Sequence, residues 1–275
     1  MSPIAARKST LGGLLTAQTV AYVLLALALL TGVGGYIQQH PGSFDLSAFV
    51  ADFYANISAE FASIAITVLI IDGLNRRRDA RSAEETQRSQ LLRQLGSNIN
   101  DVARRAAEEL RAQGWLTDGT LQSADLRVAH LEDAKLWDAD LQGANLQWAK
   151  LKRANLNGSG LSGAVLTQAN LQAARLRGAD LRGASLLEAK LYRVDFHDAM
   201  LDEADLRGAH LEGASLINAS LRGARMDGAI MDELTRLPDG SAWSADADLG
   251  RFTNSAHPQF WQPPAADGTV QDAQA

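Results

Sequence analysis

Residues 124 to 158 read ADLRV AHLED AKLWD ADLQG ANLQW AKLKR ANLNG, and the same five-residue phase holds from Gly119 to Glu233 without an insertion, 23 blocks in all. The third position is Leu except where Phe196, Met226 and Met231 stand in, and the first is Ala except at Gly119, Ser159 and Val194. Neither the 3.6-residue period of a helix nor the two-residue period of a strand produces this pattern. A fixed short period calls for a solenoid in which every block makes the same backbone turn and neighbouring coils bury one another.

The motif resembles that of the pentapeptide-repeat family, A(D/N)LXX. The resemblance implies a right-handed quadrilateral β-helix (a β-solenoid) with four blocks per coil, the first and third residues inward and the other three outward. Leucines would then stack on leucines one coil away, with alanines where the backbone leaves no more room. Coils stacked at the ~4.8 Å strand spacing give a rod approaching 30 Å over 119–233. Each buried leucine contributes roughly 1.5–3 kcal/mol before chain entropy is subtracted. Glycine recurs at the fifth position (Gly143, Gly158, Gly163, Gly178, Gly183), where corner turns would tolerate positive φ.

Upstream of the repeat the apolar residues are distributed differently. Residues 14–38 carry no charge and as a helix would reach about 37 Å, enough to span a membrane. A signal peptide also begins with basic residues such as Arg7 and Lys8, but this run is long and a second apolar segment follows it. That segment, 49–73, ends against Arg76, Arg77, Arg78 and Arg81, while the connection at 39–48 has neither Lys nor Arg. The expectation is a two-helix transmembrane hairpin in a bacterial-type cytoplasmic (inner) membrane with both termini cytoplasmic. Asp52, Asn56, Glu60, Ser63 and Thr67 form one polar stripe along the second helix, read as intramembrane packing, with an ion path or a membrane partner as alternatives.

The full expected organisation is an N-terminal tail at 1–13, spans at 14–38 and 49–73, a helical neck and N-terminal cap at 74–118, the β-helix at 119–233, a C-terminal cap at 234–262 and a disordered tail at 263–275. Within the neck, 79–112 reads as one amphipathic helix with Leu92, Leu95, Ile99, Val102, Ala106 and Leu110 on its apolar stripe and Gly96 as a possible bend. That stripe either caps the first coil or pairs with a second copy. The exposed edge of a solenoid favours the cap.

Residues twenty apart share a face of such a rod. The third face collects Lys150, Lys152, Arg153, Lys190, Tyr192 and Arg193, and the fourth adds Lys135, Arg175 and Arg177. Together they form a candidate partner-binding patch at mid-rod. The 115–237 segment nevertheless carries 14 Lys and Arg against 17 Asp and Glu, and the patch lacks interleaved aromatics, so nucleic acid is not the expected ligand. No cysteine is present, and neither a phosphate-binding loop nor a metal-ligand spacing occurs. No cofactor, metal, small-molecule substrate or catalytic residue is expected. The reading is a non-enzymatic, two-pass membrane scaffold for an unidentified protein partner or for self-association. Two alternatives stand beside it. The family resemblance implies a DNA-mimic modulator of gyrase or topoisomerase, and the polar stripe suggests an accessory subunit of a membrane channel or transporter.

Overall fold

In a computed structural model the described residues are 30, 33–42 and 45–264, excluding the side chains at 52–63, 65, 66 and 69. The chain divides into two compact units, 1–84 and 85–275.

In the first unit, residues 33–39 are helical. Tyr36 stacks on His40 at 4.6 Å and meets Phe49 edge-on at 5.3 Å, and its hydroxyl donates to the Asp45 carbonyl. Asp45 is the start signal of helix α1, Leu46–Leu95. Its Oδ1 accepts from the amide and hydroxyl of Ser47 at 2.8 and 2.7 Å, as an N-cap carboxylate should. Those bonds hold the Asp45 carboxyl below its usual range.

Helix α1 is continuous across the expected boundary at residue 73. Among the described residues no helix is long and apolar enough to cross a membrane. The expected hairpin is therefore unsupported here. The first span, 14–38, falls mostly outside the described residues, as do most side chains of the second.

The second unit corrects the reading of 79–112 as one helix. Helix α1 stops at Leu95, a turn runs through Gly96–Ile99, and helix α2 occupies Asn100–Ala112. A Cβ on Gly96 would come within 3.4 Å of the Asp125 carbonyl, so the turn runs close against the repeat backbone. The interruption resets the helical phase. Leu91 and Leu95 are buried before it and Ala103, Ala106, Ala107 and Leu110 after it, while Ile99, expected on the apolar stripe, is 59% exposed. The alanine-rich face lets α2 lie close over the first coil. The cap also supplies hydrogen bonds to the open edge. Ser97 O accepts from the His130 amide and Leu116 O from the Asp140 amide, at 2.9 and 2.8 Å. Arg111 Nη2 donates to the Trp137 and Lys135 carbonyls at 2.7 and 3.2 Å, and its guanidinium sits 3.5 Å from the Trp137 ring centroid. Trp137 thus belongs to the cap contact.

From Asp125 to His210, each second-position residue pairs in parallel with the one twenty residues ahead, so four five-residue blocks close each coil. The backbone polar groups are consumed in a repeating scheme. The Leu126 amide donates to Asn145 O one coil on, the Asn145 amide donates to Ala124 O one coil back, and the Ala129 amide closes the turn on Leu126 O. Every fifth-position residue from Ser123 to Gly228 has positive φ, the requirement at the third residue of a type II turn. Glycine fills only part of this set, and Val128, Trp148 and Arg153 adopt the same conformation at 52°, 58° and 57°. The cooperative ladder therefore imposes a geometry that these side chains disfavour by about 1–2 kcal/mol each.

Inside, the third-position leucines from Leu121 to Leu216 are no more than 1% exposed, with Phe196 equally buried in the series. Ser159 replaces an alanine without leaving a polar group unpaired, because its hydroxyl donates to Leu156 O at 2.7 Å. At the C-terminal end the register gains one residue, so Ser215 pairs with Arg236, which then pairs antiparallel with Ala242 across the turn containing Pro238, Asp239 and Gly240. Thr235 is buried and donates to Leu211 O. Helix α3, Gly250–Thr253, tucks Phe252 against Trp261 to close this end.

Candidate interaction faces of the β-helix

Outward positions two and four of one block lie side by side on a face. Where the block reads ADLR, the two positions neutralise each other. Arg127 clasps Asp125, Arg182 clasps Asp180 and Arg207 clasps Asp205, each through two side-chain bonds of 2.6–2.8 Å. The arginine bonds hold these three carboxyls below their ordinary range. Pairs also run between coils. Arg153 binds Asp133 through both carboxylate oxygens and Arg177 binds Asp195. Burial raises the Asp195 carboxyl, but the bonds from Arg177 and His197 outweigh it and the net shift is downward.

These pairs sort the candidate patch. Arg153, Arg177 and Lys135 are engaged, the last with Glu108 of the cap helix at 3.5 Å. Tyr192 is also engaged, through its hydroxyl to His210 Nδ1 at 2.8 Å. Lys150, Lys152, Arg175, Lys190 and Arg193 make no ion pair among the described residues. Lys150 and Lys190 both flank Asn170, since each is bridged to it from the adjacent coil. Of the polar stripe, Asp52, Asn56, Glu60, Ser63 and Thr67 all lie on α1. The first four side chains are outside the described set and Thr67 is exposed.

One constellation escaped the sequence reading and invites a catalytic interpretation. Ser215 Oγ, His197 and Asp195 lie in hydrogen-bond contact at 3.2 and 2.7 Å, but both contacts use His197 Nδ1. A hydrolytic triad needs the carboxylate on one ring nitrogen and the nucleophile on the other. Asp195 also serves Arg177. The cluster bridges two coils and has no relay geometry. A cleft in the C-terminal cap is lined by Asp202, Ser220, Arg222, Phe252, Phe260 and Trp261. The Asp202 carboxylate there already accepts from Ser220 at 2.6 Å and faces Arg222 at 3.8 Å.

Coils of four five-residue turns around a leucine and alanine interior define a β-solenoid. A profile of the pentapeptide-repeat family matches residues 121–158, 160–198 and 195–232 in 8 copies, so this segment of the chain is built of pentapeptide repeats. The fold of that family is the right-handed quadrilateral β-helix. Among solved structures, the chain is similar to HetL, a pentapeptide repeat protein involved in heterocyst differentiation regulation in the cyanobacterium Nostoc sp. strain PCC 7120. The identity is 35% over 45% of this chain and 61% of HetL, with a TM-score of 0.24. A pentapeptide repeat protein of the Arabidopsis thaliana thylakoid lumen shares 29% identity over 39% of this chain and 70% of its own, with a TM-score of 0.30. QnrB1, a plasmid-mediated fluoroquinolone resistance protein, shares 25% over 42% of this chain and 57% of its own, with a TM-score of 0.28. The chain thus spans less than two thirds of HetL. No curated protein sequence matches it.

Proposed function

We propose that this protein is a non-enzymatic scaffold in which a rigid pentapeptide-repeat β-helix is displayed to a protein partner from the cytoplasmic face of a bacterial-type inner membrane. The observation that carries the reading is the separation of interior from exterior. Stability resides in a repeated leucine and alanine core, so the outward positions are free to vary for recognition. The membrane anchor is inferred from the uncharged run at 14–38 and the apolar segment at 49–73. It draws support from Ile64, Ile70, Ile71 and Leu74, which are 43–59% exposed on α1 immediately before Arg76, Arg77 and Arg78. Deleting 119–237 while keeping the upstream segments tests the scaffold. It should reproduce every phenotype of the full deletion, and retention of wild-type behaviour would refute the reading. A reporter active only in the cytoplasm, fused after Ala275, tests the orientation.

Gyrase modulation is the second reading, favoured by the family match and by the fluoroquinolone resistance role of QnrB1. A duplex mimic requires broad acidic faces, and the mid-rod face here is cationic. Potent inhibition of gyrase supercoiling by the protein would establish this reading over the first. The channel or transporter alternative rests on Glu60. Loss of function in Glu60→Gln with normal membrane insertion would support it.

A further inference from the structure

Blocks 149–153 (AKLKR), 174–178 (ARLRG) and 189–193 (AKLYR) depart from the acid–arginine pattern of the three ADLR blocks. Where ADLR blocks place an acid beside an arginine, Lys150 stands beside Lys152, and Arg175 beside Arg177. Like charges at neighbouring positions on one face are destabilising, and the fold relieves only part of this charge, through Arg153 with Asp133 and Arg177 with Asp195. Lys150, Lys152, Arg175, Lys190 and Arg193 find no acid within ion-pair distance among the described residues, although Asp133 and Asp195 each hold a different arginine nearby.

The arrangement is also ordered along the rod. Lys150 and Lys190 are bridged to Asn170 from opposite sides, which places the two lysine positions two coils, or about 9.6 Å, apart. Between them lie Asn170, Gln172 and Ala173, a neutral floor with two side-chain amides and no bulk. Tyr192 and the corner residues Arg153 and Arg193 border it. The cationic band is bounded as well. Glu132 and Asp133 lie one coil before Lys152 and Arg153, and Glu212 one coil beyond Tyr192.

We propose that this band is a docking site for a short acidic segment of a partner protein, held by Lys150, Lys152, Lys190 and Arg193 with Arg175 from the adjacent face. The inference rests on the reading of the rod as a binding module and names the chemistry of what it binds. An extended peptide places same-side carboxylates about 6.6–7 Å apart, within reach of lysine side chains anchored one and two coils apart. The amides of Asn170 and Gln172 offer hydrogen bonds to its backbone. The acidic margins argue against a flat anionic lipid surface, which would press Glu132, Asp133 and Glu212 against its own charge. The band's two-coil extent fits a ligand of a few residues.

The test uses the full-length protein in neutral-lipid nanodiscs and a fluorescein-labelled hexaglutamate peptide, with hexaglutamine as its uncharged counterpart, read by anisotropy. Hexaglutamate should bind, hexaglutamine should not, and added salt should weaken the complex. The double variant Lys150→Glu with Lys190→Glu should weaken binding about tenfold or more, because two exposed attractions become repulsions of similar size. Lys150→Gln with Lys190→Gln should weaken it less. Arg225→Gln, an exposed arginine of another face, should leave it unchanged. Equal binding to the wild type and to both lysine double variants would overturn the proposal. So would the absence of hexaglutamate binding, or lysine-dependent capture of phosphatidylserine vesicles without peptide binding. If those results accompanied a null phenotype on deleting 119–237, the scaffold would stand and this surface would not be its contact.

Discussion

Replacing Arg111 with alanine should loosen the N-terminal end of the β-helix while leaving the middle intact. The side chain donates to Trp137 O at 2.7 Å and Lys135 O at 3.2 Å, and it lies 3.5 Å from the Trp137 ring centroid. A charged hydrogen bond of the first kind contributes about 1.5–3 kcal/mol, and the longer one contributes toward the low end. The cation–π contact adds about 0.5–1 kcal/mol. Against these stands Arg111 Nε, buried without a hydrogen-bond partner, whose desolvation costs about 1–3 kcal/mol. The net loss on truncation is about 2 kcal/mol, confined to the contact between α2 and the first coil, since coils interact only with their neighbours. Amide hydrogen exchange by mass spectrometry should therefore show the peptide containing His130 and Asp140, whose amides bond the cap, exchanging about thirtyfold faster. That factor follows from 1.36 kcal/mol per decade. Peptides from 160 to 200 should be unaffected. Arg111→Lys should recover part of the loss, because lysine keeps the charge but not the fork that reaches two carbonyls. Uniform acceleration along the rod, or no acceleration, would refute the assignment of α2 as a separable cap.

Leu176→Ala, in a central coil where the side chain is fully buried, should cost about 3–4 kcal/mol in denaturant unfolding, because neighbouring coils cannot collapse into the void. Gly178→Ala should cost about 1 kcal/mol. Its φ is +63° and the space around it is open, so backbone strain alone acts, and a loss as large as the leucine's would contradict this account. Acid should destabilise the rod through Asp180 and Asp205. Their folded carboxyls lie below the ordinary aspartate value of 3.8, so their contribution is present above that value and fades as pH falls through the depressed folded values. The thermal midpoint should drop in that window, and less steeply in Asp180→Asn with Asp205→Asn. A variant with an unchanged acid slope would show that these pairs are thermodynamically silent.

The coil architecture was legible because five-residue periodicity excludes ordinary helices and strands, and because a leucine at the third position of nearly every block has one consistent use. Left-handed corners were legible only where glycine marks them. At Val128 or Trp148 nothing local announces positive φ, since the ladder between coils fixes the turn and overrides residue preference. The break at Gly96 was visible as a weak point, but its consequence was not. The turn through Ile99 shifts the phase of the following helix, so Ile99 leaves the apolar face and Ala103 and Ala107 join it. Within the cationic patch, the pairing of Arg153 with Asp133 follows from positions twenty apart, whereas that of Lys135 with Glu108 depends on where the cap helix lies. The one-residue shift that joins Ser215 to Arg236 likewise depends on how the terminal hairpin closes the last coil, which no period encodes.

A repeat of this kind separates two demands that ordinary domains mix. The inward positions are nearly invariant because each must fit the same space, and an error there costs several kcal/mol. An outward substitution away from the turn costs little, since surface pairs contribute at most about 1 kcal/mol each. Charge on the rod can therefore be arranged with small consequences for folding, and its default arrangement is local neutralisation, as in the three ADLR clasps. The cations that a departure from this default leaves unpaired gain nothing within the fold. Lys150 beside Lys152, and Lys190 set two coils away across Asn170, are such departures, and they fall on one face. The functional content of this rod is therefore to be sought in its deviations from the repeat, and the largest deviation in charge lies at its middle.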